Sequence, residues 1–318
     1  MLSRVADSLF WMSRYLERAE HTARVVNVNL NVTLDRAPSD SARYWGHLLA
    51  ALPAPPPFER QTPPDPQQRQ TLDLSNSESI AACVAVAREN ARQVREEIST
   101  EMWEELNRLY LTIQRSQPTE SEWSAGTHEF LSSTITGVHL IQGVADATMT
   151  HGEGWHFIEL GRFVERAANT AALLDVHYRE FSGDAESPTG VSEYVEWVGV
   201  LKSCCAFEAY CRHYTADVRP MRIAEFLLLN AEFPRSIRFA AGRVQASLKS
   251  LALLTGRVNG RAERLAGRLM ASLDYSQIDE IFSVLPSYLQ DIVKQSNHIG
   301  GAVHQQYIAY QIDRELAT

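Results

Sequence analysis

With 318 residues and 45% hydrophobic content the chain can bury a full core, while a formal net charge of −9 excludes a general nucleic-acid surface, which needs a basic stripe to displace counterions from phosphates. Cys83, Cys204, Cys205 and Cys211 include no Cys-x-x-Cys spacing and two are adjacent, so they read as reduced, mostly buried thiols and not as a disulfide framework. No run approaches the roughly 20 apolar residues of a membrane span and the N-terminus holds no apolar signal core, so the expected location is the cytoplasm.

Along the chain, apolar residues recur at helical spacing. Trp11, Met12, Tyr15, Leu16, Ala19, Ala23 and Val26 share one arc of a first helix. Pro53, Pro55, Pro56, Pro57, Pro63, Pro64 and Pro66 then mark residues 53–71 as an exposed, extended loop, because proline cannot continue a helix interior. From Ile80 to Arg115 the pattern predicts one long helix, alanine-rich at its start, with Ser77 or Ser79 as its cap and Ser99-Thr100 as its weakest point. Gly152 and Gly154 break the chain before a further helix carrying Leu160, Phe163, Val164, Ala167, Ala171 and Leu174 on one arc. Another break falls between Ser182 and Gly190. No segment alternates apolar and polar residues, so no sheet is expected and the fold class is all-α.

The two principal helices also repeat each other. Arg14-Tyr15-Leu16-Glu17-Arg18-Ala19 returns as Arg162-Phe163-Val164-Glu165-Arg166-Ala167, 148 residues later (162 less 14). Weaker echoes follow in the same order: Trp45, Leu48 and Leu49 with Trp197, Val200 and Leu201; Ser79-Ile80 with Ser236-Ile237; His139-Leu140 with His298-Ile299. The expected architecture is therefore a helical bundle of two duplicated halves, 1–150 and 151–318, packed as one unit.

In each copy the repeat lays a polar stripe along one helix face, roughly opposite the apolar arc: Arg14, Glu17, Arg18 and His21 in the first, Glu159, Arg162, Glu165, Arg166 and Asn169 in the second. Such stripes can be solvated ion pairs, a buried interlock between the halves, or a pocket whose guanidiniums grip carboxylate or phosphate. A second polar run, Glu89, Arg92, Arg95 and Glu96, is either a solvated face or a polar helix turned toward the Arg-Glu helices or a partner. No His-Glu-x-x-His or repeated Glu-x-x-His pair occurs, so no metal site is expected. Neither a glycine-rich phosphate loop nor a nucleophile elbow occurs, so no cofactor is expected on this chain. Between 235 and 270 the basic residues Arg238, Arg243, Lys249, Arg257, Arg261, Arg264 and Arg268 form a charged face that could receive an anionic partner.

Four stretches together carry a resemblance: Arg14 to Glu20, Gly154 to Arg162 continuing through Glu165-Arg166-Ala167, Arg88 to Glu96, and Glu101 to Asn107. The chain resembles, over nearly its whole length, the bacterial alpha-E domain family, named for its helices and Glu-Arg motifs. One departure is Phe233 before Pro234-Arg235-Ser236, where the family has an Asn-Pro-Arg-Ser-like motif, so Ser79 and Ser236 are read simply as helix caps. The resemblance implies a protein encoded beside, or fused to, a circularly permuted ATP-grasp protein, often near a transglutaminase-like protein, and hence a setting of peptide or amide-bond synthesis. On that basis the chain is expected to be a helical partner subunit that is not catalytic alone. It would supply a docking surface or a cradle for a peptide substrate, while ATP and Mg sit on the ligase. The alternative is a stand-alone enzyme or small-molecule binder with a polar Arg/Glu pocket between the halves.

Overall fold

The computed structural model describes residues 1–33, 45, 48–49, 51–52, 76–115, 123–181, 191–215 and 217–309. Among these residues there is no strand, as the lack of alternation requires. The proline-rich segment 53–71 and the break at 182–190 lie outside the described residues.

Two long helices, α1 (Ser3–Thr33) and α5 (Glu153–Phe181), lie against each other at the centre. On α1 pack α2 (Ile80–Gln93) and α4 (Trp123–Thr148), with α3 (Thr100–Arg115) bridging those two on the outside. On α5 pack α9 (Ile237–Thr255) and α12 (Leu285–Val303), bridged in turn by α10 (Arg261–Tyr275). Shorter helices α6 (Val191–Ser203), α7 (Phe207–Tyr214), α8 (Pro220–Leu229) and α11 (Ile278–Ile281) complete the bundle, which ends in a π-helical turn, His304–Ile308.

Because both central helices are surrounded by others, both are buried on almost every side. From Ser8 to Val26 only Trp11, Tyr15 and Arg24 are more than slightly exposed. The polar stripe of each helix, on the face opposite its obvious apolar arc, therefore meets protein, except where Arg162 reaches an open cleft.

Their close approach has a local cause. A Cβ at Gly161 would stand 2.2 Å from the Phe10 carbonyl oxygen, so only glycine lets α5 approach α1 there. One step along the seam, Ser13 Oγ donates to the Ile158 carbonyl at 2.6 Å. Contacts advance in the same sense along both helices, Ser13 with Ile158 and Glu17 with Arg166, so the two run parallel.

Residues Ile80 to Arg115 are two helices, broken just before the Ser99-Thr100 weak point. At Val94 the backbone leaves the helical region (φ −132°, ψ 32°), a 3-10 turn follows over Arg95–Glu97, and Ser99 restarts the helix by accepting from the Met102 amide at 3.1 Å. The kink buries Val94 and Ile98 in the core, an apolar gain that offsets the lost helix bonds. Ser79 and Ser236 both cap as expected, each accepting at 3.1 Å from the amide three residues on. The cysteines depart from expectation in part: Cys83 and Cys204 are buried, Cys211 is intermediate and Cys205 is exposed. Cys205 sits at φ 51° in a tight turn between α6 and α7 and not within an apolar helix.

Candidate functional site

The two stripes face each other and exchange partners. Arg166 of α5 grips Glu17 of α1 with both prongs, Nε to Oε1 at 2.6 Å and Nη2 to Oε2 at 2.7 Å. Reciprocally, Arg18 of α1 donates from Nε to Glu165 Oε1 at 2.7 Å, and Arg14 from Nε to Glu165 Oε2 at 2.8 Å. Each glutamate is fully enclosed. Burial pushes the carboxyls of Glu17 and Glu165 up, and the guanidiniums against them, Arg166 for Glu17 and Arg14 with Arg18 for Glu165, more than offset it, leaving both below the usual range and ionised.

Residues outside the repeated stripes extend this lattice. Glu78, in the turn before α2, is bonded to Arg18 Nη1. Arg235, in the turn before α9, donates from Nη2 to Glu20 Oε2 at 2.6 Å, with Glu17 Oε1 at 3.8 Å from its Nη1. Glu20 is shared with Arg24 (Nε to Oε1, 2.9 Å) and lies 3.3 Å from His139 Nε2. The turn bearing Arg235 is built for its position. Asn230 Oδ1 accepts from the Glu232 and Phe233 amides at 2.9 and 2.8 Å, and Thr170 of α5 donates to the Arg235 carbonyl at 3.3 Å.

Of the sequence-derived candidates, then, Arg14, Glu17, Arg18, Glu165 and Arg166 form one buried cluster. His21 and Asn169 are buried beside it, with no hydrogen-bond partner among the described residues for His21 Nε2 or Asn169 Nδ2. Burial, followed by the Arg235 cation, pushes the His21 imidazole down to about 4, so it is neutral at neutral pH. The secondary run stands apart from the cluster. Glu89 and Arg92 are an exposed i, i+3 pair, Glu96 is exposed, and Arg95 lies over the Trp103 ring on the outer surface.

Glu159 and Arg162 behave differently from the rest of the stripes. They line a cleft of about 580 Å³ between α4, α5, α9 and the turns at Cys205 and Arg235. Arg162 contacts Glu159 through Nη1 at only 3.4 Å, and its Nε has no partner among the described residues. Burial, then the neighbouring Arg166 cation, lowers its pKa. Arg243 of α9 reaches the other oxygen of Glu159 at 2.5 Å. The Phe163 ring gathers the guanidiniums of Arg162, Arg166 and Arg243 at 5.0, 5.0 and 5.6 Å from its centroid, where its quadrupole offsets part of their mutual repulsion. Across cluster and cleft together, Arg14, Arg18, Arg24, Arg162, Arg166, Arg235 and Arg243 face Glu17, Glu20, Glu78, Glu159 and Glu165, so cations exceed carboxylates by two; Asp146 stands exposed at the rim. On a chain of net charge −9 that is a local reversal of sign. Of the basic residues between 235 and 270, Arg243 joins the site, while Arg238 pairs with Asp274 and Arg257 bonds the Gln306 carbonyl.

Among the described residues no group of three or more His, Cys, Asp or Glu side chains is disposed to hold a metal ion, and no helix is long and apolar enough to cross a membrane. Residues 1–308 match the Alpha-E family, described as a predicted alpha-helical domain with a conserved ER motif, and the chain belongs to that family. It is also similar to uncharacterized proteins of Mycobacterium bovis and of Mycobacterium tuberculosis strains CDC 1551 and H37Rv, at 26% identity over 301 residues in each case. The match covers 88% of this chain but 33% of each relative, so the chain spans about a third of the length of these proteins. No solved structure matches it.

Proposed function

We propose that this Alpha-E protein is a helical partner subunit of an ATP-grasp-type ligase, working in the cytoplasm in peptide or amide-bond synthesis, and that its cleft is the cradle for the substrate. ATP and Mg belong to the ligase in this reading, and the helical chain contributes positioning. The observation that carries it is the cleft itself, where guanidiniums outnumber carboxylates beside a rigid, charge-locked seam. A site built on packed helices holds its groups in place before the ligand arrives. The relatives are about three times as long as the matched region, which suits a helical unit that acts beside other domains.

The same reading takes the fold as two duplicated halves, 1–150 and 151–318. In support, α1, α2, α3 and α4 neighbour one another as α5, α9, α10 and α12 do. The seam also repeats itself across the pair: Arg18 with Glu165 against Arg166 with Glu17, and Ser13 at the Ile158 carbonyl against Gly161 at the Phe10 carbonyl.

The test is reconstitution with the ATP-grasp protein of the native host. Arg162→Gln and Arg243→Gln are expected to keep the melting temperature and the ligase's ATP turnover but abolish product. Full product formation with both variants would sink the cradle. A stand-alone binder is the second reading, favoured by a cleft that is complete within one chain, and it is supported if turnover occurs with no ligase present.

A further inference from the structure

The chemistry of the ligand can be read from how Glu159 is shared. A guanidinium carries five N–H donors and is best satisfied by a two-pronged carboxylate, the arrangement Arg166 makes with Glu17. Glu159 instead gives one oxygen to Arg162 and the other to Arg243, so neither arginine is gripped on two prongs, and Arg162 is held at only 3.4 Å. Side chains of the two remain 24% and 41% exposed, whereas Arg166 is 4% exposed. Donor capacity is left over on two cations that face the same space.

One part of the wall is apolar. Phe163, whose ring lies under the guanidiniums, stands 5.9 Å from the Phe239 ring, and Phe233 and Pro234 line the cleft from the turn before α9, while α4 contributes the polar His139, Gln142 and Asp146. At about 580 Å³ the cleft falls within the range of small-molecule sites, roughly 300–1,000 Å³. A ligand that fits has a planar oxyanion at one end and an apolar body at the other. Glu159 already occupies the anion position with a carboxylate, which favours a second carboxylate over a tetrahedral phosphate.

We infer that the cleft binds the free carboxylate of an amino acid or peptide ending in an apolar residue, with that carboxylate bridging Arg162 and Arg243 in competition with Glu159. This rests on the reading of the cleft as the substrate cradle. Glu159 then acts as a built-in placeholder that keeps both cations aligned when the site is empty.

The consequence is a pair of opposite effects, which a merely structural role would not produce. The protein alone is titrated calorimetrically with N-acetyl-L-phenylalanine, with its carboxamide as the uncharged control and phenyl phosphate as the rival oxyanion. The acid is expected to bind roughly tenfold or more tightly than the amide, as charge-assisted hydrogen bonds require. Arg162→Gln and Arg243→Gln each weaken the acid by about tenfold, and Glu159→Gln, which frees both guanidiniums, tightens it several-fold. Equal binding of acid and amide, no binding of the acid, or tighter binding of phenyl phosphate overturns the assignment. So does an unchanged affinity in both arginine variants, or a loss of affinity in Glu159→Gln with circular dichroism and melting unaltered. Should Glu159→Gln fail to fold, the partly exposed Arg243 still decides the matter. No ligase enters this titration, so it can fail while product formation by the reconstituted pair still depends on the subunit, and the converse failure is equally visible.

Discussion

Arg14 and Arg162 hold the same place in the two Arg-x-x-Glu-Arg segments, yet one is locked and the other is idle. Arg14 donates across the seam to Glu165 at 2.8 Å and lies over Trp11 at 4.8 Å, whereas Arg162 lies over Phe163 of its own helix at 5.0 Å and, among the described residues, makes one long hydrogen bond of 3.4 Å to Glu159, also on its own helix. The difference arises from what already occupies the opposite glutamate. Glu17, which Arg162 would need, is taken by both prongs of Arg166 and approached by Arg235, while Gln142 lies 3.3 Å from its Oε2. α12 also comes close to Arg14, where a Cβ at Gly300 would stand 3.4 Å from Nη1. One sequence motif thus yields an interlock on one side of the seam and a lined cleft on the other.

The sharpest way to break that comparison is to remove the glutamates. Glu165→Ala strands Arg14 in the interior and leaves Arg18 with Glu78 alone, and breaking a buried pair by deleting one partner costs about 3–5 kcal/mol. Glu159→Gln leaves two partly exposed arginines that water can solvate, so a loss of about 1 kcal/mol is expected. Urea unfolding of both variants checks this; equal losses would mean the cleft is as much a part of the interlock as the seam.

Next in size is the crossing point. Gly161→Ala puts a methyl group against the Phe10 backbone oxygen, which no side-chain rotation can relieve, so a cost of about 1–3 kcal/mol is expected. Ser13→Ala, at the matching place on α1, loses one buried hydrogen bond worth about 1 kcal/mol. The order of the two melting temperatures is the readout, and a harmless Gly161→Ala would show that the helices do not depend on their contact there.

Much of this was legible in the sequence, and the limits have physical causes. Apolar periodicity gives the helices, and the repeated motif picks out the seam residues Arg14, Glu17, Arg18, Glu165 and Arg166. A helical wheel places a stripe on a face; it does not say whether that face meets water or a second stripe. Arg235 enters the lattice from a turn 215 residues beyond Glu20, a juxtaposition that no local pattern carries. Its signal was the Pro234-Arg235-Ser236 motif, whose serine reads as a cap while the arginine beside it does the pairing. Cys205 is exposed, unlike the mostly buried thiols expected, because a left-handed turn interrupts the apolar stretch around it, and propensity alone reads that stretch as helix.

Acid titration separates the halves of the seam in another way, since His21 in the first segment corresponds to Asn169 in the second. His21 has its pKa lowered from the ordinary 6.5 to about 4 in the folded state, so the unfolded chain binds the extra proton first. Stability is therefore full above pH 6.5 and is lost as pH falls from there toward 4, by about 2 kcal/mol at pH 5. His177, also buried and lowered to about 4, adds a similar loss. His21→Asn is expected to remove only the first share, measured as the difference in unfolding free energy between pH 7 and pH 5. An unchanged difference would place the His21 imidazole in contact with water.

The smallest expected effect bears most directly on the cleft. Arg162→Gln removes one long contact and relieves the repulsion from Arg166 that helps lower the Arg162 pKa, so stability should change by less than about 1 kcal/mol. Arg14→Gln, at the matching position, leaves Glu165 with only Arg18 and should cost about 2 kcal/mol. A residue that is partly enclosed, charged and nearly neutral to stability is one whose position is retained for something other than folding. If Arg162→Gln destabilises as much as Arg14→Gln, the two arginines are equivalent struts and the cleft is only the gap between them. A flat stability response combined with lost ligand binding marks Arg162 as the arginine of the repeated motif that left the interlock to line a site, while Glu165 and Arg166 of the same copy stay in it.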